Sequence, residues 1–509
     1  MLARGLRSSF LFVVWCAPSG FSQPPVTRLN PAIKEIVDAV SEERIGATMK
    51  RLGEFGTRYI LSEQDSPIHG IGGAQRWIAD QFRSYSPRLE VKLEPFTAKK
   101  GQLTAKKGQR VAHDVDLANV VAVLPGKLDP TRFVVISSHY DSIAARVGPG
   151  TPRTDDEGPR NPQEVEPVAP GVSDNASGVA AVLELARIMS QYEFDKSVIF
   201  IAFSAEEVGL LGSQSYAAKA KQEKMEIEAV LNNDIIGNDV AGNGFSANSR
   251  VRLFSEGPED SPSRSLARYT KEIAERYIPS MTVDLVFRRD RFGRGGDHTS
   301  FNGQGFAAVR LTTPSENYAN QHTATDTFAN ASVPYAVRVA RINAAVLASL
   351  ALAPKPPVVS RPRTGVRPPG GIGAAGSPNG AANTPGSDSP PAGRTAQGQA
   401  PRQMGPGLSR GKSGYDAALR WDSPKPEPDL AGYAIVIRAT TSPLWEREIY
   451  VGNVKEYTIP DLSIDDVVIG VKAIDKDGNQ SLVSAYDLPP VAPARQVGAT
   501  PAAGGPGGQ

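Results

Sequence analysis

One cysteine, Cys16, stands in a chain of 509 residues. A lone cysteine excludes an intramolecular disulfide framework and any zinc finger built on thiolates. Histidine is nearly as scarce: His69, His113, His139, His298 and His322 are all the chain has. Charge of one sign is lacking too, because 56 Lys and Arg against 54 Asp and Glu leave a formal +2. That balance gives no electrostatic footprint for nucleic acid, so no nucleic-acid partner is expected. No run approaches the ~20 apolar residues that span a bilayer, so no transmembrane segment is expected in the mature chain.

Glycine and proline, by contrast, are plentiful, at 49 and 42 residues. They concentrate in residues 353–412 and 489–509, which hold few large apolar side chains and no periodicity. Such segments cannot repay the entropy of ordering, so a disordered linker and a disordered tail are expected there. The N-terminus reads as an export signal. Arg4 and Arg7 precede the apolar run 10–17, and Gly20 and Ser22 supply small residues for cleavage. Cleavage after Ser22 would remove residues 1–22, Cys16 among them, and leave a secreted or periplasmic protein.

Residues 29–352 alternate strand-like apolar runs with helical patterns, which implies an α/β domain. Helices fit 31–52, 70–85, 176–190 and 334–352. Strands fit 120–124, 133–137, 198–203, 230–233 and 307–311, all short and mostly apolar, as buried parallel strands should be. Residues 413–488 recover alternation and aromatics and read as a small all-β sandwich, with Trp421 as a core residue.

Chemically loaded residues follow the expected strands. His139 and Asp141 follow the second, Glu206 and Glu207 the third, Asp234 the fourth, and His322 the loop after the fifth. Asp174 precedes a helix. Ligand sites in open α/β sheets lie outside the C-terminal strand ends. Singly, each residue has an ordinary reading: Asp174 as a helix cap, Glu206-Glu207 as a solvated pair, His139 as a core histidine, His322 as a loop residue. Together, so many carboxylates in one cleft would repel and be costly to desolvate unless cations join them. Two histidines and three carboxylates form a nitrogen and oxygen set that zinc accepts. With one carboxylate bridging, five ligands give each of two metals three protein contacts and leave room for a shared water.

The segments carrying these residues are His139-Tyr140-Asp141-Ser142, Gly171 to Gly178, Ser204 to Ser213, Asn233 to Gly237, and His322 to Thr327. In this order they resemble the secreted di-zinc aminopeptidase family, which includes bacterial leucyl aminopeptidases and is related to glutamate carboxypeptidase and glutaminyl cyclases. The resemblance covers about residues 35–352. It implies a central mixed, mostly parallel sheet flanked by helices, and two Zn²⁺ per chain. Asp174 would bridge, His139 and Asp234 would complete one site, and Glu207 and His322 the other. Glu206 would be the general base, and Asp141 would orient the cluster. The segment Gly293 to Phe301 resembles a family sequence near the substrate pocket, so Asp297 or His298 is expected to line it.

One departure stands out. Some relatives carry a tyrosine directly before the last metal histidine; here that position is Gln321, and Tyr318 is the nearest tyrosine. The expected function is an exported aminopeptidase acting on peptides with a free N-terminus. The alternatives are a glutaminyl cyclase-like acyltransferase, or a non-catalytic adhesion protein with a relic metallohydrolase domain. The C-terminal segment resembles fibronectin type III modules, and a surface or polymer target is the partner its attachment suggests.

Overall fold

The computed structural model describes residues 29–102, 111–144, 168–359, 407–423 and 427–486. The expected signal peptide, most of the expected linker, residues 145–167 and the expected tail lie outside them.

The larger domain is built on one eight-stranded sheet. Its strands are β1 (Glu90–Ala98), β2 (Val115–Leu124), β3 (Asp129–His139), β4 (Lys196–Phe203), β5 (Glu226–Asn233), β6 (Arg250–Ser255), β7 (Thr282–Val286) and β8 (Ala308–Thr312), in the spatial order β1-β2-β4-β3-β5-β8-β6-β7. The inner run β4-β3-β5-β8 is parallel throughout. β1, β2 and β6 join antiparallel, and β7 pairs parallel with β6. The sheet is therefore mixed with a parallel centre. β4 and β8 are buried along their whole length, which explains their unbroken apolar character.

Helices cover both faces. They are α1 (Pro31–Asp38), α2 (Glu42–Gly53), α3 (Gly70–Tyr85), α4 (Ser177–Met189), α5 (Leu211–Gln222), α6 (Pro262–Tyr277), α7 (His298–Gly303) and α8 (Val333–Leu352). The periodicity over 31–52 predicts one helix, but two form. Ser41 caps the second by accepting from the Arg44 N–H, with Glu42 and Glu43 in the first turn and Lys50 and Arg51 in the last. One core joins α1 to α4, α6 and α8 to one sheet face; a smaller one sets Tyr216 of α5 and Phe301 of α7 against Val135, Ile201 and Phe203. Among the described residues α8 alone is long and apolar enough to cross a bilayer, and it lies inside the larger core.

The C-terminal module has two small antiparallel sheets. One orders β13 (Glu456–Ile459), β10 (Ala417–Arg420) and β9 (Leu408–Ser409). The other orders β12 (Arg447–Gly452), β11 (Leu430–Ala439), β14 (Val467–Asp475) and β15 (Ser484–Ala485). Trp421 sits in the shared core, edge-on to Tyr433 at 5.5 Å between ring centroids. The module is packed directly on the larger domain. Leu482 joins the larger core, and Arg268 of α6 donates from Nε to the Pro443 carbonyl at 2.6 Å. Asp260 forms an ion pair with Arg438 of β11, and the Lys355 N–H donates to Glu427.

Candidate metal centre

The four parallel strands end on the same edge, and each delivers part of the site. β3 ends at His139, whose Nε2 is buried and has no hydrogen-bond partner. That atom lies 3.3 Å from Asp174 Oδ1, 3.7 Å from Asp234 Oδ1 and 3.9 Å from Glu206 Oε2. β5 runs directly into Asp234. The loop after β8 brings His322, whose Nε2 lies 3.1 Å from Asp174 Oδ2 and 3.0 Å from Glu207 Oε2. Two ligand groups result: His139, Asp174 and Asp234, and Asp174, Glu207 and His322. Asp174 belongs to both and turns one oxygen to each histidine.

These residues fit a pair of divalent ions. A buried imidazole nitrogen without a partner, aimed at two carboxylates, is what a metal ligand looks like before the ion is counted. The donor set contains nitrogen and carboxylate oxygen alone, as hydrolytic zinc sites use. The histidine nitrogens lie 3.0–3.7 Å from the carboxylate oxygens of their groups, close to the ~3.4 Å between neighbouring ligands of a tetrahedral ion with bonds of ~2.0–2.2 Å.

The backbone is bent to make this possible. Ala205, Ile235 and His322 all adopt left-handed φ, near +60°. Such values are uncommon outside glycine and unfavourable for β-branched isoleucine. They stand just before Glu206, just after Asp234 and at His322 itself, so the local cost is placed where side chains must be re-aimed off the strand ends. Asp174 sits in the wide turn 172–176, ahead of α4, with extended rather than helical torsions.

A second layer of groups holds the ligands. Asp141 accepts the N–H of Glu206 on Oδ1 and that of Glu207 on Oδ2, both at 3.1 Å. The His139 Nδ1 lies 3.1 Å from the Asp141 carbonyl and 3.5 Å from its Oδ1. One carboxylate thus fixes three members of the cluster. Asp326 accepts the N–H groups of Ser173 and Asp174 at 2.8 and 2.9 Å. Asn175 donates to the Asn233 carbonyl and accepts from the Ile235 N–H, tying the Asp174 turn to the end of β5. Gln321 donates to Asp174 Oδ2 at 2.8 Å, so the residue at the tyrosine position touches the shared carboxylate.

The electrostatics follow from that crowding. Burial works against a charged His322, but Glu207 and Asp174 outweigh it and lift its pKa to about 9. His139 is likewise raised despite burial, by Glu206 and the three aspartates around it. Burial, with Asp234, Glu207 and Asp297 nearby, pushes the Glu206 carboxyl well up against the opposing pull of His139. Asp297 and His298 are fully buried. Burial raises Asp297 to about 7. His298 faces the Arg289 carbonyl at 2.8 Å, and burial lowers it to about 4, so its ring is neutral behind the site. Tyr318 is 46% exposed, and the pocket beside Asp174 is lined by its neighbours Asn317, Asn320 and Gln321.

A protein from Pyricularia oryzae (strain 70-15) described as a probable zinc metalloprotease is 33% identical over 491 residues, spanning 90% of this chain and 84% of that protein. One from Pyrenophora tritici-repentis with the same description is 30% identical over 482 residues, spanning 88% of this chain and 96% of that one. Residues 119–347 match the profile of peptidase family M28. The chain belongs to peptidase family M28. It is a zinc metallopeptidase of that family, and the M28 match encloses all five ligand residues. Among solved structures, the LapA aminopeptidase of Legionella pneumophila aligns with 64% of this chain and 75% of its own at 20% identity, with a TM-score of 0.47.

Two buried arginines of the larger domain stand outside every one of these motifs. Arg58 is fully buried and donates to the carbonyls of Tyr140, Leu52, Pro170 and Gly171. It clamps the end of β3 to the approach of the Asp174 turn. Burial lowers its pKa to about 10, against the pull of Asp326, Asp141 and Asp174. Arg310, in the middle of β8, lies against Asp234. An arginine inside an apolar strand is the signal that could have exposed the second, because Arg is almost never fully buried unless paired.

Proposed function

We propose that the protein is an exported aminopeptidase that removes N-terminal residues from peptides, using two zinc ions. The observation that carries the reading is the division of Asp174 between His139 and His322, with Glu206 beside the first histidine. His139 and Asp234 would hold one ion, Glu207 and His322 the other, and Asp174 both. When bound there, zinc polarises a scissile carbonyl and lowers the pKa of a water molecule.

The chain's own groups supply the rest. Glu206 takes the proton that the attacking water loses and returns it to the leaving amine nitrogen as the C–N bond breaks. Its carboxylate lies 3.9 Å from His139 Nε2 with only 11% of the side chain exposed, within reach of the site and screened from bulk water. Asp141 divides the labour of the adjacent glutamates by holding both of their backbone N–H groups, which supports opposite aims for the two side chains. The fibronectin-like reading of the C-terminal module is supported by its two antiparallel sheets around Trp421. Its direct packing on the catalytic domain favours a structural part in the enzyme over a free-swinging tether.

The test is release of free amino acids from aminoacyl-p-nitroanilides, abolished by a chelator and restored by Zn²⁺. Absence of hydrolysis on unblocked peptides with both Zn²⁺ and Co²⁺ contradicts the reading. Cyclisation of N-terminal glutamine in its place favours the acyltransferase alternative.

A further inference from the structure

We infer that Arg310 is a positioning residue for the first metal site, fixing which oxygen of Asp234 the metal receives. Strand register places it there. Arg310 lies opposite Asn232 in the β5–β8 pairing, and Asp234 is two residues further along the chain, just past the end of β5. Residues two apart project to the same side of a strand, so the guanidinium and the Asp234 carboxylate meet on one face. Nη2 of Arg310 lies 3.0 Å from Asp234 Oδ2, while Asp234 Oδ1 is the oxygen turned towards His139. One oxygen is therefore occupied by a cation and the other is offered to the metal.

The guanidinium is itself held. Its Nη1 donates to Asp290 Oδ2 at 2.8 Å and to the Gly295 carbonyl at 3.0 Å. Asp290 is fixed in turn by the backbone N–H of Arg291. Arg310 is 0% exposed, so its charge must be offset by neighbouring acids: Asp234 and Asp290 in contact, with Glu316 and Glu206 adding at longer range. A planar fork can engage Asp234, Asp290 and a carbonyl at once, whereas the ammonium of lysine is a single point. Asp174 is common to both sites, but its Oδ2, the oxygen facing His322, is met by the neutral amide of Gln321. Arg310 pairs with Asp234 and Asp290, and among the described contacts it reaches none of Asp174, Glu207 and His322, so its effect falls on the first site.

This inference rests on Asp234 being a first-site ligand, and the experiment separates the two claims. Zn²⁺ and Co²⁺ affinities are measured by chelator competition on the full chain, for wild type, Asp234→Asn, Arg310→Met, Arg310→Lys and Asp290→Asn. Outer partners of metal ligands typically account for ~10–100-fold in affinity. Arg310→Met is expected to weaken one of the two binding steps by about that factor and to leave the other unchanged. Arg310→Lys should recover the charge without recovering the wild-type affinity, and Asp290→Asn should shift the same step in the same direction. A folded Arg310 variant with both affinities at wild-type values overturns the inference. So does an equal loss at both steps, which marks a general structural role. If Asp234→Asn changes neither step, the ligand reading itself has failed. Where the Arg310 variants do not fold, the guanidinium ¹⁵N resonance of Arg310 in the wild-type chain decides. It should shift as the first site fills, and a signal unchanged through full loading overturns the inference.

Discussion

Arg438 of the C-terminal module and Asp260 of the peptidase domain form a 2.6 Å ion pair across the junction, with side chains only 1% and 6% exposed. Asp260 also takes Arg268 of α6 at 3.0 Å. Arg438→Met takes away one of the two buried ion pairs of Asp260 and leaves it Arg268, so it should destabilise the full chain by about 2 kcal/mol. Zinc content should not change, because the junction contributes no ligand. Denaturant melts with metal analysis check this, and an unaltered midpoint would show that the two domains are merely adjacent.

The same junction carries a pH dependence. Burial and then Asp429 lift Asp195 to about 6, against Lys196, with Glu427 and Asp477 adding to the rise. Burial lifts Asp475 to about 6 against hydrogen bonds from Asn479, with Asp429 again adding. A carboxyl whose folded pKa exceeds its unfolded value holds its proton more tightly when folded. Its contribution is complete below the unfolded value of 3.8 and is lost as pH rises through about 6. The melting temperature of wild type should therefore fall, relative to an Asp195→Asn, Asp475→Asn double variant, between pH 4 and 7. Parallel profiles for the two proteins would contradict the burial of these carboxyls.

Metal uptake should release protons. In the metal-free chain His322 has a pKa of about 9 and His139 is also raised, so both imidazoles are largely protonated at neutral pH. A ligating imidazole must be neutral, and apparent affinity should rise with pH up to about 9. Calorimetry of Zn²⁺ binding at pH 7 in two buffers of different ionisation enthalpy measures the protons released. A buffer-independent heat would contradict the charge state assigned to the cluster.

Asp326 is the only described acceptor for the Asp174 N–H, and it serves Ser173 as well. Asp326→Ala should leave the Asp174 turn free to relax and weaken metal binding ~10–100-fold, as loss of an outer partner does. Chelator competition measures the change, and wild-type affinity would show that the turn holds its shape without Asp326.

Much of the site was legible because its ligands sit at the ends of apolar strands, where chain order and spatial order coincide. His139 ends β3, Asp234 follows β5 directly and Glu207 stands four residues past β4, and the parallel pairing of those strands brings them together. Arg58 and Arg310 were not legible, because their meaning lies in partners distant in sequence: Gly171 for the first, Asp234 and Asp290 for the second. β6 and β7 escaped for a different reason. Arg250, Arg252 and Asp284 interrupt their apolar pattern, and only their pairing explains the charges: Arg250 with Asp284 across β6 and β7, and Arg252 with the distant Glu316. The packing of the module was hidden as well. Leu482 and Arg438 carry no mark of a domain junction until α6 is laid beside them.

The central claim is that Glu206 moves the proton while its neighbours hold the metal. Glu206→Gln tests it most directly, with zinc content and kcat measured on the same preparation. The account predicts wild-type zinc content with kcat reduced by ~10²–10⁴. Turnover at the wild-type rate, or loss of zinc together with activity, would contradict it.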